Sequence, residues 1–124
     1  KSLLNNLPDS DKQALNAPGG IDVLVQDIRE GLRQGGRGAA DDMRAVVMDW
    51  DFKLEDINTK VFIWQGEDDP NVTPAMAHYL AARIPDNTTK FVPDAGHFLI
   101  YSHWSQILDQ VLENWTEAPK TKHR

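Results

Sequence analysis

Apolar residues recur along this chain with two different periods, and the switches between them mark out its elements. After a breaker at Ala17, Pro18, Gly19 and Gly20, the residues Ile21, Leu24, Val25, Ile28 and Leu32 fall at i, i+3, i+4, i+7 and i+11, which is one face of a helix. That helix is expected to end near Gln34. Before it, Pro8, Asp9 and Ser10 supply helix-start chemistry for one or two turns reaching Leu15. After it, glycines at 35, 36 and 38 punctuate the chain, and a further helical segment over residues 39–48 carries Asp41 and Asp42 near its positive end. Val61, Phe62, Ile63 and Trp64 form a continuous run of strand formers between Lys60 and Gly66, the pattern of a strand covered on both faces. The connector before it, residues 50–56, holds Trp50 and Phe52, expected to pack beneath that strand. Thr73 and Pro74 then read as an N-cap and a first helical position, with Met76, Tyr79, Leu80 and Ile84 as the buried stripe of a helix that Pro85 stops. Pro85, Asp86 and Asn87 make a turn into a short strand over residues 89–92, which Pro93 ends. A last helix, beginning near Ser102 and finished by Pro119, spaces Trp104, Ile107, Leu108, Val111, Leu112 and Trp115 along one side.

The connection between the two strands, residues 66–88, exceeds the dozen or so residues that a parallel crossover requires, so strand, helix and strand predict a right-handed βαβ unit and an α/β fold class. In a parallel sheet the strand C-termini share one edge, and ligand-handling groups sit in the loops that leave it. The first strand leads into Gly66, Glu67, Asp68 and Asp69; the second leads into Asp94, Ala95, Gly96 and His97. Neighbouring strands lie about 4.8 Å apart, so a carboxylate of the first loop can reach an imidazole of the second. A carboxylate so placed holds the histidine in one tautomer and stabilises the imidazolium formed when it takes a proton. His97 is then a general base with an acidic partner among Glu67, Asp68 and Asp69.

At these residues the chain resembles the C-terminal part of the α/β-hydrolase fold family. The resemblance is carried by the strand VFIWQ, by Gly66, Asp69 and Val72 in a Gly-x-x-Asp-x-x-Val pattern with Pro74 close behind, and by the step Gly96, His97 and Phe98. It covers about residues 49–115. In that family an aspartate follows the penultimate core strand and a histidine follows the last, so the resemblance implies Asp69 as the catalytic acid and His97 as the catalytic histidine. It further implies a partial α/β-hydrolase fold. Residues 1–48 would be a remnant of a cap region with the helix leading back to the core, and residues 49–124 the last two strands and their helices.

The family's nucleophile precedes the acid and sits on a Gly-x-Ser-x-Gly elbow. The serines here are Ser2, Ser10, Ser102 and Ser105, none flanked by glycines two residues away; no Gly-x-Asp-x-Gly replaces the elbow, and no His-Gly oxyanion loop is present. The resemblance therefore implies the acid-base part of a serine hydrolase for esters, amides, thioesters or activated C–C bonds, with its nucleophile outside these 124 residues. The chain alone is expected to be inactive. The alternative is a non-catalytic relative that keeps the fold as a binding or scaffolding surface.

Composition narrows the remaining classes. Hydrophobic residues at 40% and charged residues at 26%, with four Trp, describe a globular chain able to build a modest core. A net charge of −6 gives no long-range attraction to nucleic acid or an anionic membrane, and the basic end at Lys120, Lys122, His123 and Arg124 is too short to reverse it. No apolar run is long enough to span a bilayer. The absence of cysteine excludes disulfides and cysteine-held metal and is compatible with a cytoplasmic location. No cofactor or metal is expected. The glycine cluster follows a helix rather than a strand and lacks a Gly-Lys-Ser/Thr ending, so it is a turn and not a phosphate cradle. The acidic run at residues 67–69 lacks calcium-loop spacing. His78 is expected on the surface, Asp94 in a turn, and His103 at the start of the last helix rather than sharing a metal with His97. The first residue, Lys1, points to a fragment or a processed chain. The expected partners are an ester- or amide-type small molecule in the complete protein and either the missing N-terminal half or a second copy meeting an exposed sheet edge.

Overall fold

The computed structural model describes residues 7–117. Within them lie five α-helices and two strands in the order α1 (Asp9–Asn16), α2 (Gly20–Gly31), α3 (Arg37–Val47), β1 (Val61–Gly66), α4 (Pro74–Ala81), β2 (Asn87–Val92) and α5 (Leu99–Glu117), with a 3₁₀ turn at Leu54–Asp56. The class is α/β. Pro119 and the basic residues expected at the chain end, as well as Ser2, lie outside the described residues.

β1 and β2 pair in parallel, from Val61 opposite Asn87 to Gly66 opposite Val92, through the crossover that carries α4. Two features fix the ends of this unit. Asn87, expected in the turn, opens β2 instead, because its side-chain amide donates to the free carbonyls of Ala81 and Ile84 at 2.9 and 2.7 Å and so closes the end of α4. At the other end the ladder continues past the strands, with Glu67 N–H donating to Val92 O at 3.0 Å and Asp68 N–H to Ala95 O at 2.9 Å. The two exit loops are thereby stitched to each other.

The core is small: Leu15 of α1, Leu54, Ala77 of α4, Ile84, Val92 and Ala95 are buried. α5 docks on β1 through the Trp64 indole N–H, which donates to Gln110 Oε1 at 2.6 Å, and α1 packs on both α2 and α5. Between α2 and α3, Gly35 adopts a left-handed φ of 87° and makes the helix-helix turn expected of the glycine cluster.

Several expected burial patterns are not met. With two strands, each is an edge strand, so Val61 to Trp64 are half-buried rather than covered on both faces. Trp50 and Phe52 do not pack beneath β1; they are exposed and stack on each other with ring centroids 5.5 Å apart. On α4 the buried residue is Ala77, while Met76 and Tyr79 are exposed and Tyr79 lies under the Arg83 guanidinium. α5 starts three residues before the expected Ser102, so His103 sits in its second turn. The helix is about 28 Å long at 1.5 Å per residue, against strands of about 20 Å. Its far end overhangs the sheet, leaving Leu112 and Trp115 at 60% and 76% exposure. The apolar stripe of α2 is likewise uncovered at Ile21, Val25, Ile28 and Leu32.

The tightest packing is where the exit loops cross. A Cβ on Gly66 would collide with the carbonyl oxygens of both Ala95 and Gly96, whereas one on Gly38, in the first turn of α3, would meet nothing. Gly66→Ala is expected to destabilise by about 1–3 kcal/mol, as overpacking does. Gly38→Ala should be neutral or stabilise by up to about 1 kcal/mol. Urea midpoints of the two variants check this; equal midpoints would mean that the loops can separate without cost.

Candidate active site

The site is assembled by the register of the sheet. Because β1 and β2 end side by side, the loops after Gly66 and Val92 leave in the same direction and carry Asp69 and His97 to each other. His97 Nδ1 lies 3.0 Å from Asp69 Oδ2. Of the three acidic residues in the first loop, Glu67 and Asp68 are exposed and only Asp69 is buried, at 7%.

The loop's own hydrogen bonds explain that choice. Asp69 Oδ1 accepts from Asn71 N–H at 2.8 Å and Val72 N–H at 3.0 Å, a turn in which the carboxylate satisfies the backbone two and three residues on. Gln65, itself buried, donates through Nε2 to Val72 O at 2.7 Å and to Gly66 O at 2.8 Å. Residue 72 is thus held by both its N–H and its carbonyl, and the second carboxylate oxygen of Asp69 is left free to face His97. In the partner loop Asp94 takes a left-handed φ of 53°, which aspartate tolerates better than most side chains.

Burial pushes the Asp69 carboxyl towards its neutral form. The hydrogen bonds from Val72, from His97 and from Asn71, together with the His97 charge, outweigh burial and hold the carboxyl below the usual aspartate value. Asp69 is therefore an anion at neutral pH. With Nδ1–H directed at that anion, the imidazole presents Nε2 as its basic nitrogen. The His97 side chain is 41% exposed, so the ring is open to an incoming group. Its edge packs against Phe98 at 5.6 Å, and Phe98 in turn meets Tyr101 at 5.9 Å.

Tyr101 leads to a hollow of ≈ 440 Å³ between α2 and α5, lined by Val23, Asp27, Ile100, Tyr101 and Trp104. Burial, and then the adjacent Asp27 carboxylate to which it is hydrogen-bonded, raise the Tyr101 phenol above its ordinary value. The α2 wall of this hollow comes from Val23 and Asp27, not from the apolar stripe of that helix.

The other candidates fall elsewhere. Ser102 Oγ donates to Leu99 O at 3.1 Å and lies 2.9 Å from His103 Nδ1; Ser10 Oγ is buried without a hydrogen-bond partner among the described residues. Neither is bonded to His97. His78 is exposed and stacks on Phe91 at 4.2 Å. His103 is engaged locally, and among the described residues no group of three or more potential ligands could hold a metal ion. No described helix is long and apolar enough to cross a membrane.

One residue at the site has no counterpart among the sequence motifs. Asp11 of α1 is completely buried, and its Oδ1 accepts from the Phe98 N–H at 2.8 Å, directly after His97. A short helix whose first turn carries two aspartates and a lysine gives no reason to single it out.

Compared with models of protein families, with curated protein sequences and with solved structures, the chain matches none.

Because the folded-state value of Asp69 lies below that of an unfolded aspartate, about 3.9, its ionised form contributes stability that is fully present above that pH. The contribution is lost as pH falls through the lowered folded value. Urea midpoints measured from pH 5 down to pH 2 are expected to fall less steeply for Asp69→Asn than for the parent chain. Parallel curves would show that Asp69 carries none of the acid sensitivity.

Proposed function

We propose that this chain supplies the acid and the base of a serine hydrolase of the α/β-hydrolase type, with Asp69 as the orienting acid and His97 as the general base. The observation that carries this is the 3.0 Å contact between an open imidazole and a buried carboxylate anchored by two backbone N–H groups. Surface ion pairs have no need of such anchoring. A histidine held by Nδ1 and open at Nε2 is the arrangement that removes a proton from a hydroxyl.

In the proposed cycle, Nε2 of His97 takes the hydroxyl proton of a serine as its oxygen bonds to the substrate carbonyl carbon. Asp69 stabilises the resulting imidazolium, which returns the proton to the departing alcohol or amine as the acyl–O or acyl–N bond breaks. Water, deprotonated by the same nitrogen, then releases the acid and frees the serine. The proposal requires a serine and oxyanion donors that these residues do not supply. The Val23, Ile100 and Trp104 walls of the hollow beyond Phe98 and Tyr101 suit an apolar part of an ester. A cytoplasmic site of action fits the absence of cysteine.

A non-catalytic binding protein is the second reading, favoured by the exposed aromatic pair Trp50 and Phe52 and by Trp115. A fluorophosphonate probe separates the two on the protein isolated from its native source, since only an activated serine is labelled. On a p-nitrophenyl ester the 124-residue chain alone is expected to give no turnover above background. In the nucleophile-bearing protein His97→Ala should lower kcat by about 10²–10⁴-fold. Robust turnover by the isolated chain that His97→Ala abolishes would put the nucleophile on these residues and contradict the proposal.

A further inference from the structure

We propose that Asp11 is a positioning residue for His97, acting through the backbone on either side of it. Asp11 lies 87 positions before Phe98 in sequence, on α1, yet it is 0% exposed and its Oδ1 accepts the Phe98 N–H at 2.8 Å. The same carboxylate lies against Gly96, where any Cβ would overlap Asp11 Oδ1 and Cγ. Both chain neighbours of His97 therefore bear on one carboxylate, while the imidazole bears on another, that of Asp69.

The chemistry of the position supports a specific task. α5 begins at Leu99, so the Phe98 N–H is one of the donors at the helix start that the helix itself does not satisfy. A carboxylate there makes a charge-assisted hydrogen bond and sits at the positive end of the helix dipole. Burying a carboxylate is unfavourable unless it gains such partners, and an apolar side chain at position 11 would avoid that cost altogether. Here the partner gained is the amide next to His97, and Oδ2 of Asp11 is buried with no partner among the described residues. Gly96 and Asp11 form a matched pair: the missing side chain of one makes room for the carboxylate of the other. With residues 96 and 98 held, the His97 ring has little freedom to swing away from Asp69.

This inference rests on the Asp69–His97 pair used for the proposed function, but its readouts are geometric and do not require turnover. In the full chain, the Phe98 amide exchange rate and the His97 Nδ1 proton resonance are followed by NMR in Asp11→Ala and Asp11→Asn. Asp11→Ala is expected to speed Phe98 exchange at least about tenfold, the factor that corresponds to one net hydrogen bond, and to lose the Nδ1 resonance. Asp11→Asn keeps an acceptor oxygen and should retain both. A folded Asp11→Ala chain with an unchanged Nδ1 resonance overturns the proposal. Where Asp11→Ala does not fold, Asp11→Asn decides: retained Phe98 protection together with the Nδ1 resonance supports it, and lost protection with the resonance intact overturns it. An inactive hydrolase would leave these signals unchanged, so failure of the function and failure of the positioning role are separately visible.

Discussion

The parallel register of β1 and β2 is the constraint on which the rest depends. Because Gly66 stands opposite Val92, both strands stop at the same level and both exit loops turn off together. The ladder bonds from Glu67 and Asp68 then bring the loops into contact, and the absence of a side chain at Gly66 lets the carbonyls of Ala95 and Gly96 come close. A slip of one residue would carry Asp69 to the other face of its strand's continuation and away from His97. The site is thus a consequence of pairing geometry before it is one of side-chain chemistry.

Three hydrogen bonds then decide the electrostatics. Burial alone would favour a neutral Asp69, yet two backbone donors and one imidazole donor reverse the balance and keep it ionised. The backbone donors also fix the direction of the carboxylate, since Oδ1 is committed to Asn71 and Val72. Gln65 holds the same turn from behind. An anion that cannot rotate is what gives His97 a fixed tautomer, and the tautomer determines which nitrogen faces outward. Asp11 extends this logic to the backbone around the histidine.

Much of this was legible in the residues. The βαβ unit follows from the run Val61 to Trp64, the Thr73-Pro74 helix start and the strand closed by Pro93, because each is marked by neighbouring residues in sequence. The helix-helix turn at Gly35 is of the same kind. Side-chain burial was less legible, since period marks which residues share a face but not what covers it. The stripes of α2 and α5 are helical as expected, yet many of their apolar residues are exposed. Asp11 was illegible for a related reason. An aspartate in the first turn of a short helix is ordinary, and its role appears only when the fold brings residues 11 and 98 together. Asp69 stands between these cases: its buried position depends on Asn71 and Val72, which are adjacent in sequence, and on His97, which is not.

The central claim is that Asp69 and His97 form a preset acid-base pair with Nε2 as the outward base. The most direct measurement is the tautomeric state of His97 by long-range ¹H–¹⁵N correlation at a pH where the ring is neutral. A protonated Nδ1 and an unprotonated Nε2 are expected in the parent chain, with that preference lost in Asp69→Ala. A ring protonated on Nε2 in the parent chain, or one indifferent to the removal of Asp69, would contradict it.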